Sequence, residues 1–265
     1  VGGTWTSTCT CRSPRPPERE SEIGALSAAP TERPARDDGA PALEITVLNG
    51  NLMFVRQPLL IGHYRGSQLT GSEGVVDNLI GGAMAASLGA GVYPDGPGAF
   101  QMFRNARSSD NPLQMPRPEW AIVAGLGDET ELNATTLKHT IRQAIIGWAQ
   151  RIVEEGNAAA TFELASTLVG SGGTRMSPNQ SAQVIAQAAR EANLRLKASG
   201  WPLLGHLWFV ELYLDRASDA WRSLQVLATT RPSDWRIAEH VRSGAGALRR
   251  PLDTGYRSAD YDLIS

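Results

Sequence analysis

The sequence predicts an α/β domain, a mixed β-sheet flanked by helices on both faces. Three observations predict it. Four segments carry apolar residues at helical spacing, each behind its own start signal. Short apolar runs with strand character lie between them, so helix and strand alternate along the chain. Hydrophobic residues make up 42% of the 265, enough for one sizeable core or two small ones and too many for a fully disordered chain.

The elements follow in order. Residues 1–42 hold six of the sixteen prolines and eleven charges of mixed sign, with Val1, Trp5, Ile23 and Leu26 as their only large apolar residues. Such a stretch buries too little surface to offset its ordering entropy, and a disordered linker is expected. Leu43 to Val47 then alternate apolar and polar as a half-buried strand does. Asn49-Gly50 is a hairpin-turn signal, with 51–55 as the return strand. Leu59 to His63 reads as a buried strand.

The first helix is expected from Thr70 to its end at Gly89 and Gly91, with Thr70 as N-cap and Glu73 reaching back in a capping box, and Val75, Val76, Leu79, Ile80, Met84 and Leu88 on its buried side. Gly81-Gly82 falls inside that pattern and marks close packing or a helix break. The second helix is capped by Asn133, with Leu132 and Leu137 as a hydrophobic staple and Ile141, Ile145 and Trp148 in its stripe. Ser177-Pro178-Asn179-Gln180 opens the third with an N-cap, a proline at the first helical position and a glutamine at the third. The fourth starts near Asp215 and places Ala217, Ala220, Trp221, Leu224 and Leu227 on one side. Strands are expected over 99–103, 120–124, 161–169 and 207–212. The folded domain is thus set at 43–229, with 230–265 as an Arg/Ser/Gly/Pro-rich linker towards a following element. Val1 at the start and a strand-like last segment predict a fragment of a longer chain.

Composition excludes several functions. With 25 basic against 27 acidic residues the net charge is −2, against a nucleic-acid binder. No apolar run approaches the ~20 residues of a membrane helix. Cys9 and Cys11 are too close together for a structural disulfide, and the reducing cytoplasm is the expected compartment. The four histidines have no partners at metal-ligand spacing, and no cofactor is expected.

Three turns are candidate binding elements. Gly170-Ser171-Gly172-Gly173-Thr174-Arg175-Met176-Ser177 joins a strand to a helix N-terminus. Its backbone N–H groups, the helix dipole and Arg175 would suit a phosphate; a plain strand-to-helix turn is the alternative. Gly125-Leu126-Gly127 is read as a turn after a strand ending at Ala124, at the edge where open α/β sheets place ligands. His63, at a strand end beside Tyr64 and Arg65, would lie at that edge too, as a site residue or a structural histidine. Glu211 and Asp215 form a possible acid pair, or two solvated carboxylates at a helix start.

Ile61-Gly62-His63-Tyr64-Arg65-Gly66, Gly91-Val92-Tyr93-Pro94, Ala124-Gly125-Leu126-Gly127 and Ser166 to Gly173 occur in that order. The series resembles an accessory domain of large bacterial proteins that carry a CHAT-type, caspase-like protease domain. Phe209 to Ala217 fits that domain's final strand and helix, and the resemblance covers 43–229. It implies a non-enzymatic recognition or scaffolding module whose partner is a protein or the adjoining protease domain. A more distant likeness is to the non-catalytic amino-terminal domain of leucine aminopeptidases, itself similar to macro domains, which bind ADP-ribose. The aminopeptidase catalytic half has no counterpart here. In macro domains a loop shaped like Gly170–Ser177 holds the diphosphate, which implies an alternative function: binding or hydrolysing an ADP-ribosyl or other nucleotide ligand. The asparagine-rich first loop of ADP-ribose binders is replaced here by His63-Tyr64-Arg65-Gly66. The candidate ligand contacts are accordingly Gly170, Gly172, Gly173, Thr174, Arg175, Ser177, Gly125, Gly127 and His63.

Overall fold

All eight residues of Trp120–Gly127 are buried, as a strand covered on both faces must be. This strand belongs to the sheet of a computed structural model, which describes residues 39–106, 117–157 and 159–248. The strands are β1 (Leu43–Asn49), β2 (Leu59–Tyr64), β3 (Phe100–Arg104), β4 (Trp120–Gly127), β5 (Thr161–Ser166), β6 (Leu203–Glu211), β7 (Trp235–Ile237) and β8 (Arg242–Ser243). They lie in the order β3-β4-β2-β5-β6-β1-β7, with β8 pairing further along β1. Every described pairing is parallel except β3 with β4, so the sheet is mixed.

Helices cover both faces. On one lie α3 (Ala134–Glu154), α4 (Pro178–Ala198) and α5 (Leu214–Thr230). Leu137, Ile141, Ile145 and Trp148 of α3 join Ile122 and Ala124 of the sheet in the larger core. Alanines 182, 186, 189 and 192 are fully buried along α4, whose small side chains suit its position between α3 and α5. On the other face α1 (Ser72–Ile80) and α2 (Ala83–Gly89) bury Val76, Ile80 and Met84 against Leu59, Ile61, Ala121 and Val123.

The local start signals at Asn133 and Ser177 are used as expected. Asn133 accepts from the Thr136 N–H, and Ser177 with Gln180 makes a complete capping box. Other expectations are overturned. Asn49-Gly50 makes no hairpin. The Asn49 side chain donates to the carbonyls of Glu211 and Leu212, Gly50 N–H donates to Glu211, and 52–54 form a short 3-10 turn. β1 instead lies between β6 and β7. Thr70 caps nothing: Gly71 holds the N-cap position without a side-chain bond, because the Glu73 carboxylate is buried with His63 and Tyr93. The helical pattern is interrupted at Gly81-Gly82, the helix break that was one of the two readings of that pair: both are left-handed (φ 100° and 87°), and Asp77 Oδ1 accepts from the N–H groups of Met84 and Ala85 at the start of α2.

The stretch beyond Thr230 does not run off as a linker up to 248. It supplies β7 and β8, and Leu248 exchanges backbone bonds with Leu212 and Leu214. Residues 1–38 and 249–265 lie outside the described residues, and with them both cysteines and most of the expected terminal linkers. Arg190, 6% exposed, donates to the carbonyls of Ala40 and Pro41 and to Asp234, tying the entry to β1 to the turn before β7.

Candidate functional site

Because β1, β6, β5, β2 and β4 run parallel, the loops that follow β2, β4 and β5 emerge at one edge of the sheet. That is the edge at which open α/β sheets hold ligands. The turns after His63, after Gly127 and at Gly170–Ser177 therefore share it.

The Gly170–Ser177 loop is assembled residue by residue from that edge. Gly170 has φ 85°, and a Cβ there would stand 2.9 Å from Leu132 Cδ2, so only glycine fits. Its carbonyl accepts from the Tyr64 hydroxyl at 2.8 Å. Ser171 is buried, and its Oγ accepts from Arg216 Nη2 at 2.7 Å. Arg216 Nε in turn donates to Glu211 at 3.0 Å. Glu211 thus stands in an ion pair with Arg216. A Cβ on Gly172 would meet nothing within 4 Å, whereas one on Gly173 would lie 2.4 Å from Glu129 Oε1. That same oxygen accepts from the Thr174 N–H at 2.9 Å. Arg175 Nη2 donates to the Thr130 carbonyl at 2.6 Å. Ser177 Oγ is committed to the cap of α4.

A carboxylate oxygen therefore already sits on the loop that sequence reasoning assigned to an anion. It comes from the protein itself. Glu129 carries no sequence signal, standing 45 residues from Thr174, and nothing local to Tyr64 or Arg216 points to their bonds with Gly170 and Ser171. Burial, and then the Glu129 charge, push the Tyr64 phenol up to about 12, so it stays protonated and donating at neutral pH.

The other three candidates lie in strands rather than turns. Gly125 is inside β4, which continues to Gly127 because the 94–97 backbone runs against it. A Cβ on Gly125 would be 2.4 Å from the Gly96 carbonyl oxygen and 2.9 Å from that of Pro94. Gly127 (φ 75°) abuts Pro97, and its carbonyl accepts from the Arg65 N–H. Chain packing thus accounts for both glycines. His63 is 1% exposed and faces α1, its Nδ1 2.8 Å from Glu73 Oε1 and its ring edge-on to Tyr93. The Tyr93 hydroxyl donates to the same Glu73 oxygen at 3.1 Å, and burial, followed by that carboxylate, pushes its pKa up. His63 Nε2 has no hydrogen-bond partner among the described residues.

Beside the loop after β2 an open cleft of about 740 Å³ is lined by Gly66, Gln68, Asp77, Asn78, Tyr93 and Asp95, among others. Arg65 links this cleft to the loop after β4 by ion pairs with Asp95 (3.5 Å) and Asp128 (2.9 Å). Among the described residues no three His, Cys, Asp or Glu side chains gather as a metal site, and no helix is long and apolar enough to cross a membrane.

No protein-family model matches the sequence, and neither does any curated protein. Among solved structures the chain is similar to the Trypanosoma brucei macrodomain in complex with ADP-ribose, at 13% identity and a TM-score of 0.49, covering 69% of this chain and 68% of that one. It is also similar to the Oceanobacillus iheyensis macrodomain with MES bound, at 12% identity and a TM-score of 0.45, covering 69% and 93%. The macrodomain of Thermus aquaticus DarG gives 15% identity and a TM-score of 0.38, covering 63% and 97%. The CHAT-associated and aminopeptidase likenesses rest on the sequence motifs alone.

Proposed function

We propose that this domain is a binding module for a phosphate-bearing small molecule of the nucleotide class, received at the carboxyl edge of the sheet. One observation carries the reading: a carboxylate oxygen accepts from the Thr174 N–H in the glycine loop that leads into α4. A site that seats one oxyanion on a backbone amide, near the positive end of a 21-residue helix, suits a phosphate oxygen equally well. Arg175 lies in the same loop and would add charge-assisted recognition. The cleft that Arg65 joins to the loop after β4 offers hydroxyl, amide and carboxylate groups for a sugar or base.

This reverses the order of the two readings from sequence. The carboxylate seated on the Thr174 amide supports the nucleotide reading, whereas the protein-recognition role beside a CHAT-type protease rests on sequence motifs alone. Calorimetric titration with ADP-ribose and ADP tests it. Saturable binding, lost in Gly172→Trp with the melting temperature preserved, is the expected result. No heat with either ligand at millimolar concentration, in wild type and in Glu129→Ala, rejects the reading.

A further inference from the structure

We propose that Glu129 is an internal competitor, a carboxylate latch that occupies the Gly170–Ser177 loop until a phosphate-bearing ligand displaces it. The proposal rests on the binding reading above and assigns a regulation to the same site.

The latch is built from two adjacent cross-loop bonds. Glu129 Oε1 accepts from the Thr174 N–H, and Arg175 Nη2 donates to the carbonyl of the next residue, Thr130. Thr174 and Arg175, the residues that would meet a phosphate, are therefore the residues that hold the latch shut. The carboxylate is pressed against the loop, since a Cβ on Gly173 would stand 2.4 Å from Oε1 and 2.7 Å from Cδ. A ligand oxygen cannot take the Thr174 amide while Glu129 Oε1 is there, and its charge would be repelled by the carboxylate as it arrived.

The segment that carries Glu129 is suited to move. Residues 129–131 form a single 3-10 turn with no buried residue. Its two ends are anchored: Asp128 by the ion pair with Arg65, and Leu132 by burial in the core. Withdrawal of Glu129 thus pulls no buried side chain of the turn out of the core, and Leu132 holds the start of the helix after it in place. Release is coupled, because a turn that swings away also frees the Arg175 guanidinium from Thr130. The other acid in the turn, Glu131, makes no described contact with the loop, so the function is specific to position 129.

A latched site loses affinity in proportion to the population of its closed state. Titration of wild type, Glu129→Ala and a Glu131→Ala control with ADP-ribose, together with hydrogen exchange at the Thr174 amide, tests the proposal. Faster exchange at Thr174 and binding tighter by on the order of 10-fold in Glu129→Ala, with Glu131→Ala unchanged, is the expected result. Silence from wild type with binding by Glu129→Ala also supports it, as a latch closed most of the time. Binding by wild type that Glu129→Ala leaves equal or weakens overturns the latch while the binding reading stands. Silence from both, even with Thr174 exchanging faster, overturns the latch and the binding reading together. Melting temperatures of the variants, whose changed residues are exposed, confirm that the fold is retained.

Discussion

Gly125 and Gly96 touch backbone to backbone: a Cβ on Gly125 would stand 2.4 Å from the Gly96 carbonyl oxygen. Neither side of that contact is a flexible side chain, so the strand itself would have to shift. Gly125→Ala should destabilise the domain by about 1–3 kcal/mol in a urea melt, as overpacking does. Gly172→Ala, whose added carbon meets nothing within 4 Å, should stay within ~0.5 kcal/mol of wild type. Equal melts for the two variants would contradict the packing described for β4.

Glu73 is the shared acceptor of two buried donors, His63 and Tyr93. Glu73→Ala strands both groups out of reach of water, at roughly 1–3 kcal/mol each. Glu73→Gln keeps an acceptor oxygen and should lose less. Melting temperatures in the order wild type, Gln, Ala are expected, and an Ala variant as stable as wild type would show that water replaces the carboxylate.

How much of this was legible in the sequence depends on range. Asn133 and Ser177 act on amides three residues away, so their roles could be read locally. Asn49 was misread because its partner is the end of β6, 162 residues on, and a turn dipeptide carries no information about that. Glu73 fits a capping box by spacing, but His63 and Tyr93 claim its carboxylate. The shared edge follows from strand alternation only if the parent strands are parallel, which the pairings of β2 with β4 and β5 supply. What occupies the edge was not legible, since Glu129 meets Thr174 through a non-local contact between two loops.

Tyr64 gives a pH signature. Its phenol ionises near 10 when unfolded and about 12 in the fold, because burial and then Glu129 oppose the charge. A raised pKa contributes stability that is fully present below pH 10 and lost as pH climbs through 12. Denaturant melts should therefore weaken between those values, and the fall should be shallower in Tyr64→Phe. At neutral pH that variant loses only the bond to Gly170, about 0.5–1.5 kcal/mol. An unchanged alkaline slope would place the phenol in solvent.

Arg175→Ala separates recognition from folding. The side chain is exposed and its described bond is to the Thr130 carbonyl, so stability should change by less than ~0.5 kcal/mol. Ligand binding should weaken by about 1.5–3 kcal/mol where the guanidinium meets phosphate, read by calorimetry with ADP-ribose. A variant that binds as tightly as wild type would leave Arg175 without a part in recognition.

The break at Gly81-Gly82 has a consequence for capacity. A continuous helix over 72–89 would run about 27 Å, longer than the ~20 Å of the six-residue β2 beneath it. Interrupted at the two left-handed glycines, the segment forms two short helices instead of one long one. Asp77 and Asn78 from one arm of the elbow and Ala85, Leu88 and Gly89 from the other line the open cleft. The hollow is thus a property of two backbone angles more than of the side chains around it.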